Sequence, residues 1–147
     1  MLQYRKGVIA VFINNSKRLL VCQRTDNKCW QFPQGGIDAK ESPQKALYRE
    51  INEEIGVNEF NILKNSIVFI GYDFPSYIKS PITKKYKGQE QIWYLCKLNE
   101  GITPDLAKAS CDELCNFSWK KPQFVLENIV SWKKNAYEKG LLSLGII

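Results

Sequence analysis

The segment from Gly35 to Val57 constrains the fold of this chain more than any other stretch, because it carries the signals for both ends of a helix. Ser42 can cap a helix N-terminus, Pro43 suits the first helical position, and Gly56 can take the left-handed conformation that ends a helix. Between these signals an apolar residue recurs every four positions, at Leu47, Ile51 and Ile55. We therefore expect a helix over residues 43–55 with one face buried.

Three glutamates lie on one face of this expected helix. Glu50, Glu53 and Glu54 have the spacing i, i+3, i+4, which brings their side chains together beside the apolar stripe. Like charges at this spacing cost ~0.2–0.5 kcal/mol per pair, and neither Glu50 nor Glu54 has a Lys or Arg four residues further on. A hard divalent cation with oxygen ligands, Mg²⁺ or Mn²⁺, would remove the repulsion, and a solvated acidic face is the alternative.

The same segment resembles the motif of a known family. It matches the whole Nudix box, G-x5-E-x7-R-E-U-x-E-E-x-G-U with U aliphatic, at Gly35, Glu41, Arg49, Glu50, Ile51, Glu53, Glu54, Gly56 and Val57. The resemblance implies an α/β/α sandwich with a mixed sheet and a loop-helix-loop that binds one to three divalent cations. It also implies hydrolysis of a nucleoside diphosphate that is linked to another group.

The composition is that of a globular protein with a basic surface. At 147 residues, 44% of them hydrophobic, the chain is expected to form a single domain over residues 1–147. No run approaches the ~18 apolar residues of a membrane span, and the charged N-terminus is unlike a signal peptide. The five cysteines form no CxxC motif and there is no histidine, so we expect no zinc site and a reducing cytoplasmic location.

The net charge of +6 requires a basic surface away from the glutamate-rich helix. The lysines cluster in three places, at Lys79, Lys84, Lys85 and Lys87, at Lys120 and Lys121, and at Lys133 and Lys134. A basic rim around an acidic metal site suits a polyphosphate or nucleic-acid substrate, and lysines that only aid solubility are the alternative.

The rest of the chain predicts a mixed α/β domain. Residues 7–13 and 18–24 are typical of a β-hairpin, and residues 30–34 are typical of an extended stretch. Gly35-Gly36 would allow a tight turn whose backbone could approach a phosphate. Further strands are expected at residues 67–72, 92–98 and 117–119, with a polar irregular segment at 99–112. A C-terminal helix is expected over residues 124–137, with a possible break near Val130.

Flanking segments narrow the resemblance. The stretch WQFPQGGI at residues 30–37 and the stretch GQEQIWY at residues 88–94 are similar to segments of the bacterial RNA pyrophosphohydrolases and the related dinucleoside polyphosphate hydrolases. Tyr4-Arg5 and Ser131-Trp132-Lys133-Lys134 are similar to the same subfamily. The loop between Tyr72 and Gly88, Lys120-Lys121 and Glu90 depart from its pattern.

The resemblance assigns a role to each matching residue. The cations would be held by Glu50, Glu53, Glu54, Glu113 and Gly35, and Glu54 or Glu113 would act as base, with Glu53 also in the catalytic set. Substrate would be bound by Arg5, Arg24, Gln34, Tyr77, Gln89, Trp132 and Lys133, with Trp132 or Tyr77 stacked on a base. Glu41, Arg49 and Gly56 would brace the motif.

Three functions are compatible with these residues. The leading hypothesis is removal of phosphates from 5′-triphosphorylated RNA to leave a 5′-monophosphate, and the rival is hydrolysis of diadenosine polyphosphates (Ap4A) with release of ATP. A non-catalytic RNA or nucleotide sensor is the third. Against the sensor, a scaffold without catalysis has no physical need for three glutamates that lack basic partners.

Overall fold

The computed structural model describes residues 1–110 and 112–147, so Cys111 lies outside the described residues. Within these residues, eight strands and four α-helices follow one another, with a short 3₁₀ turn before the last helix. In chain order they are β1 (Gln3–Phe12), β2 (Leu19–Arg24), β3 (Trp30–Gln31), β4 (Gln34–Gly36), α1 (Pro43–Ile55), β5 (Phe60–Asn65), β6 (Ile70–Asp73), α2 (Pro81–Lys85), β7 (Tyr86–Leu98), β8 (Leu114–Lys120), α3 (Pro122–Asn128), the 3₁₀ turn (Ser131–Lys133) and α4 (Lys134–Ser143).

The expected α/β/α sandwich with a mixed sheet is confirmed. The central sheet has the order β4-β1-β7-β5, and β6 pairs with the first half of β7. Strands β1 and β7 run parallel, with Val8 opposite Ile92, whereas the other pairs in this sheet are antiparallel. A parallel neighbour of β1 must come from far along the chain, because a parallel connection needs a long crossover.

Two cores lie on the two faces of the central sheet. Alternate residues of β1 point to opposite faces, so Val8, Ala10 and Phe12 pack with α1 while Ile9 and Val11 pack with α4. The α1 side contains the predicted stripe of Leu47, Ile51 and Ile55, all fully buried. The α4 side contains an aromatic cluster of Phe32, Trp93 and Tyr137, in which Phe32 and Tyr137 stack at 5.2 Å.

The ends of α1 form as predicted. Ser42 Oγ accepts a hydrogen bond from the Lys45 backbone N–H at 3.2 Å, and Gly56 ends the helix with a φ of 69°. A Cβ at Gly56 would also lie 2.4 Å from the Asp105 carbonyl oxygen. The start, the end and the buried face of this helix are therefore each determined by local residues.

The predicted β-hairpin is wrong. Strands β1 and β2 lie in different sheets, and one isolated bridge between Ile13 and Leu19 joins them. Both edges of β1 are already hydrogen-bonded, to β4 on one side and β7 on the other, so no edge is left for β2. Strand β2 instead forms a small sheet in the order β3-β2-β8.

The expected tight turn at Gly35-Gly36 is also wrong, because both glycines lie within β4 and pair with Val8 and Gly7 of β1. The strand expected at 67–72 begins only at Ile70, and the strand Phe60–Asn65 and the helix Pro81–Lys85 were not expected. The expected break near Val130 is confirmed, since α3 and α4 are separate helices.

The polar segment 99–112 has neither helix nor strand in its described residues. Within the residues that the structure describes, no helix is long and apolar enough to cross a membrane.

Candidate active site

A cleft of about 580 Å³ opens beside the carboxylate face of α1. The lining includes all but one of the residues predicted to bind metal or substrate: Arg5, Arg24, Gln34, Gly35, Glu50, Glu53, Glu54, Gln89, Glu113, Trp132 and Lys133. The exception is Tyr77, whose side chain is 71% exposed and does not line the cleft, although its neighbour Ile78 does. The prediction that Tyr77 stacks on a substrate base therefore has no support in the geometry.

Glu54 is the buried carboxylate of the cleft. Its side chain is only 2% exposed, and its Oε1 accepts a hydrogen bond from the Gln34 backbone N–H at 2.7 Å. The other oxygen, Oε2, is buried without a hydrogen-bond partner among the described residues. Burial raises the pKa of Glu54 well above its usual value, and the nearby carboxylates of Glu113 and Glu50 raise it further. An unpartnered buried carboxylate oxygen requires a cation or a proton donor.

Glu50 lies against Gly35, and the glycine is required for this contact. A Cβ at position 35 would lie 2.0 Å from Cδ and Oε2 of Glu50, so any larger residue would displace the carboxylate. Burial raises the pKa of Glu50, and the hydrogen bond from Arg49 opposes this shift. The adjacent Gly36 makes room for the Arg5 guanidinium, whose Nη2 would lie 2.3 Å from a Cβ there.

Arg49 is the centre of an ion-pair network beside these carboxylates. Its guanidinium donates to both oxygens of Glu41 at 2.9 Å and to the Gly36 carbonyl oxygen at 2.8 Å. Its Nη1 donates to Glu50 Oε1 at 2.8 Å and to Glu53 Oε2 at 3.4 Å. The hydrogen bond from Arg49 holds the pKa of Glu41 at about 2.

This network corrects the expectation that the three glutamates lack basic partners. Arg49 precedes Glu50 by one residue and Glu53 by four, whereas the expectation concerned basic residues that follow a glutamate. Glu54 is the member of the set whose oxygen Oε2 stays unpartnered among the described residues.

Cationic side chains line the same cleft as the carboxylates. Arg24 is oriented by Asp26, to which it donates two hydrogen bonds at 2.9 and 2.8 Å. Lys133 is 7% exposed, and burial lowers its pKa to about 8. Arg5 and Trp132 also line the cleft. The cleft thus brings carboxylates and cationic groups together, an arrangement suited to an anionic substrate that also binds metal ions.

Trp132 both packs against other aromatic side chains and lines the cleft. It is half-buried and packs edge-on against Tyr72 at 5.4 Å and Phe74 at 6.1 Å, and it also lines the cleft. Its ring lies 5.2 Å from the Lys133 ammonium. The packing against two aromatic rings holds the indole in place at the cleft wall.

Polar groups that were not among the predicted site residues also line the cleft. Gln31 Nε2 and Tyr72 OH are buried there without partners among the described residues, as is Oε1 of the predicted residue Gln89. Tyr72 sits in a strand of alternating burial, and Gln31 is a buried amide in an apolar stretch. A polar residue at a buried strand position was the signal available in the sequence.

Comparison with known proteins identifies the class to which this fold and site belong. A model of the NUDIX domain matches residues 3–139. The chain therefore belongs to the Nudix hydrolase family.

Two of its relatives are RNA pyrophosphohydrolases. One, from Zymomonas mobilis, is 34% identical over 146 residues, which cover 94% of this chain and 92% of the relative. Another, from Campylobacter jejuni, is 36% identical over 141 residues, which cover 92% of this chain and 89% of the relative. The structure of a C. elegans Ap4A hydrolase matches with a TM-score of 0.64, covering 97% of this chain and 99% of that one. At 18% identity, this last match shows the shared fold alone.

Nudix hydrolases generally depend on divalent metal ions, and the donor chemistry of this cleft fits such an ion. The carboxylates of α1 are hard oxygen ligands of the kind that Mg²⁺ and Mn²⁺ prefer, and Glu54 Oε2 has no other partner among the described residues. In residues 1–110 and 112–147, however, no three acidic, cysteine or histidine side chains are already grouped as a metal site. The contacts from Arg49 to Glu50 and Glu53 account for this, because they direct two of the carboxylates to the guanidinium.

Proposed function

We propose that this protein is a metal-dependent pyrophosphohydrolase that converts 5′-triphosphorylated RNA to 5′-monophosphorylated RNA. The single observation that carries the proposal is one cleft lined both by carboxylates, including Glu54 with its Oε2 unpartnered among the described residues, and by the cationic side chains of Arg5, Arg24 and Lys133. The two RNA pyrophosphohydrolases described above are similar to this chain over nearly its whole length, which supports the choice of RNA.

One to three Mg²⁺ or Mn²⁺ ions would be held in the cleft by Glu50, Glu53, Glu54 and Glu113. When bound, such ions polarise a phosphoryl oxygen and lower the pKa of a coordinated water. Gly35 keeps the Glu50 carboxylate in its position by leaving room for it. The hydrogen bond from the Gln34 backbone N–H fixes one oxygen of Glu54 and leaves the other without a partner among the described residues.

Two residues are candidates for the base that takes the proton of the attacking water. Glu54 is buried with a raised pKa, and Glu113 is exposed just before β8 and lines the same cleft. A raised pKa favours proton transfer near neutral pH, which supports Glu54. Glu113 would then complete the ligand set, and the pH dependence of turnover in a Glu113→Gln variant distinguishes the two assignments.

The cationic side chains would hold the phosphates. Arg5, Arg24 and Lys133 line the cleft, and Asp26 keeps the Arg24 side chain in its orientation. A base at the 5′ end could stack on Trp132, an interaction that contributes ~1–3 kcal/mol and tolerates any base. Arg49 and Glu41 would keep their bracing role in the motif, since most donors of Arg49 are held away from the cleft.

The proposal is tested by product analysis with Mg²⁺ and, in parallel, Mn²⁺ on a short 5′-triphosphorylated RNA. Conversion to the 5′-monophosphate by the wild-type protein supports it. Glu54→Gln is expected to lower turnover by about 10²-fold or more while the protein still binds the RNA. The same change should raise the thermal midpoint, because it removes a carboxylate that burial destabilises in its charged form. A fully active Glu54→Gln protein would contradict the assignment.

Hydrolysis of diadenosine polyphosphates is the second candidate, because the same cationic side chains could hold a chain of four phosphates. A dinucleotide has two adenines to place, and Tyr77, the second predicted stacking residue, does not line the cleft. Preferential release of ATP from diadenosine tetraphosphate, with the RNA nearly unchanged, would establish this activity instead. A non-catalytic sensor would give no turnover of either substrate.

We also expect the protein to act in the cytoplasm. The cysteines that the structure describes, Cys22, Cys29, Cys96 and Cys115, are all free thiols, which suits a reducing compartment.

A further inference from the structure

The segment of residues 78–87, which contains α2, separates the active-site cleft from a second hollow. Ile78, Ser80 and Ile82 line the cleft. Around them, the side chains of Lys79, Ser80, Pro81, Thr83 and Lys84 line a hollow of about 320 Å³. Ser80 lines both concavities, so a chain that leaves the cleft over Ser80 enters the second hollow directly.

This segment carries a concentrated positive charge. Lys79, Lys84, Lys85 and Lys87 are all exposed, and none of them forms an ion pair with another described residue. Acids on the adjoining strands are already engaged elsewhere. Glu90 of β7 pairs with Lys6 at 3.4 Å, and Asp73 of β6 accepts the hydroxyl hydrogen of Tyr4 at 2.5 Å.

The lysines are held in a defined position relative to the cleft. Ile78 and Ile82 anchor the segment on the cleft side, and hydrogen bonds between Ser80 and Thr83 stabilise the start of α2. Lys84 and Lys85 follow within the same short helix. Lysines that served only solubility would not need a fixed place beside the opening of the active site.

A linear RNA has a feature that a free nucleotide lacks, namely a phosphodiester backbone that continues beyond the reacting 5′ end. With the triphosphate bound between Glu54 and the cationic side chains of the cleft, the following nucleotides must leave over the cleft rim. The α2 segment is part of that rim, and its unpaired lysines match the repeating negative charge of the backbone.

We propose that the α2 segment binds the backbone phosphates of the nucleotides that follow the 5′ end of an RNA substrate, with Lys79 and Lys84 as the principal contacts. This inference rests on the proposed function and gives it a basis for preferring RNA. A dinucleoside polyphosphate has no phosphodiester backbone to place there. The α2 segment therefore determines specificity, and it takes no part in bond cleavage.

The test compares two substrates of different length, a 5′-triphosphorylated dinucleotide and a 5′-triphosphorylated octamer. Lys79→Gln/Lys84→Gln is measured beside a control, Lys64→Gln/Lys108→Gln, which removes the same charge from two exposed lysines that do not line the cleft. Values of kcat/KM are determined for both substrates over a range of salt concentrations. Thermal midpoints establish that both variants are folded.

The α2 variant is expected to lose about tenfold in kcat/KM on the octamer at low salt and less than twofold on the dinucleotide. The slope of log kcat/KM against log salt concentration should become shallower by about 1.4 for the octamer, since each single-strand phosphate contact contributes about 0.7. Equal losses on both substrates, or an equal loss in the control variant, would overturn the proposal.

A binding measurement separates this proposal from the proposed reaction. The fluorescence anisotropy of a labelled 5′-triphosphorylated octamer is followed in EDTA, where turnover is not expected. If the RNA is not hydrolysed with Mg²⁺ or Mn²⁺ but its affinity depends on Lys79 and Lys84, the proposed reaction is wrong and the RNA surface stands. If hydrolysis occurs with an affinity independent of both lysines, the reaction stands and the surface is refuted.

Discussion

Replacing Gly35 with alanine isolates the position of one carboxylate in the proposed metal site. The added Cβ would lie 2.0 Å from Cδ and Oε2 of Glu50, and ordinary contact begins at 3.4 Å, so the carboxylate must move by about 1.4 Å. Gly35 does not have a positive φ, so alanine is compatible with its backbone. The strain thus falls on the Glu50 side chain and leaves the strand in place.

A movement of this size is large compared with the tolerance of metal coordination, in which ligand distances vary by about 0.2 Å. Glu50 should therefore be lost as a ligand. We expect the Kd of Gly35→Ala for Mn²⁺ to rise by 10- to 100-fold, measured by electron paramagnetic resonance or calorimetry on the protein without substrate. Activity should be recovered in part at high Mn²⁺ concentration.

The adjacent glycine provides the matched control. In Gly36→Ala the added Cβ meets the Arg5 guanidinium at 2.3 Å, so the disturbance falls on the phosphate-binding side. This variant should bind Mn²⁺ as the wild type does and show a raised KM for the RNA. If Gly35→Ala binds Mn²⁺ normally, or if both variants weaken Mn²⁺ binding equally, Glu50 is not a ligand held in place by Gly35.

Three further predictions follow from the ion pairs and the packing. Arg49 lowers the pKa of Glu41 from a usual 4.5 to about 2, so the ionised carboxylate stabilises the folded protein above pH 4.5. This contribution is lost as the pH falls to about 2. Thermal melts between these two pH values should therefore show a smaller loss of stability for Glu41→Gln than for the wild type. The pKa of Lys133 is lowered to about 8, so its side chain loses its positive charge above that pH and KM for triphosphorylated RNA should rise. Because arginine stays charged, pH–rate profiles of Lys133→Arg should lack this rise. In Gly140→Ala a Cβ would lie 2.2 Å from the buried indole of Trp93, so chemical denaturation should show a loss of about 1–3 kcal/mol, and an unchanged stability would contradict the packing of α4.

Local signals explain which parts of the fold could be predicted from the sequence. Helix α1 begins and ends where Ser42 and Gly56 predict. The Ser42 side chain accepts a hydrogen bond from a backbone N–H of the first turn, and Gly56 ends the helix by taking a positive φ. The pairing of β2 depended on information that is not local. Its apolar pattern would suit a hairpin with β1, but β4 and β7 hydrogen-bond to the two edges of β1, and β7 comes from far along the chain.

The same distinction applies to the candidate site. The glutamates of α1 are close in sequence, and their spacing alone brought them to one face. The role of Arg49 as the partner of Glu50 and Glu53 was missed, because helix pair rules describe isolated surface pairs and not a guanidinium held by Glu41 on its other side. The place of Tyr77 outside the cleft could not be derived either, since no local pattern indicates that its neighbour Ile78 lines the cleft instead.

The two groups of side chains in the cleft therefore differ in how the chain encodes them. Three of the four candidate metal-binding carboxylates lie on α1, and Glu113 lies just before β8, so a short motif contains most of their geometry. The cationic side chains come from β1, β2 and the 3₁₀ turn before α4, which are separate elements of the fold. Substitutions within α1 should then act mainly on metal binding and turnover. Substrate preference can change through the α2 segment and the C-terminal turn while the metal-binding geometry stays the same, which is how a single motif can accommodate substrates as different as RNA and dinucleotides.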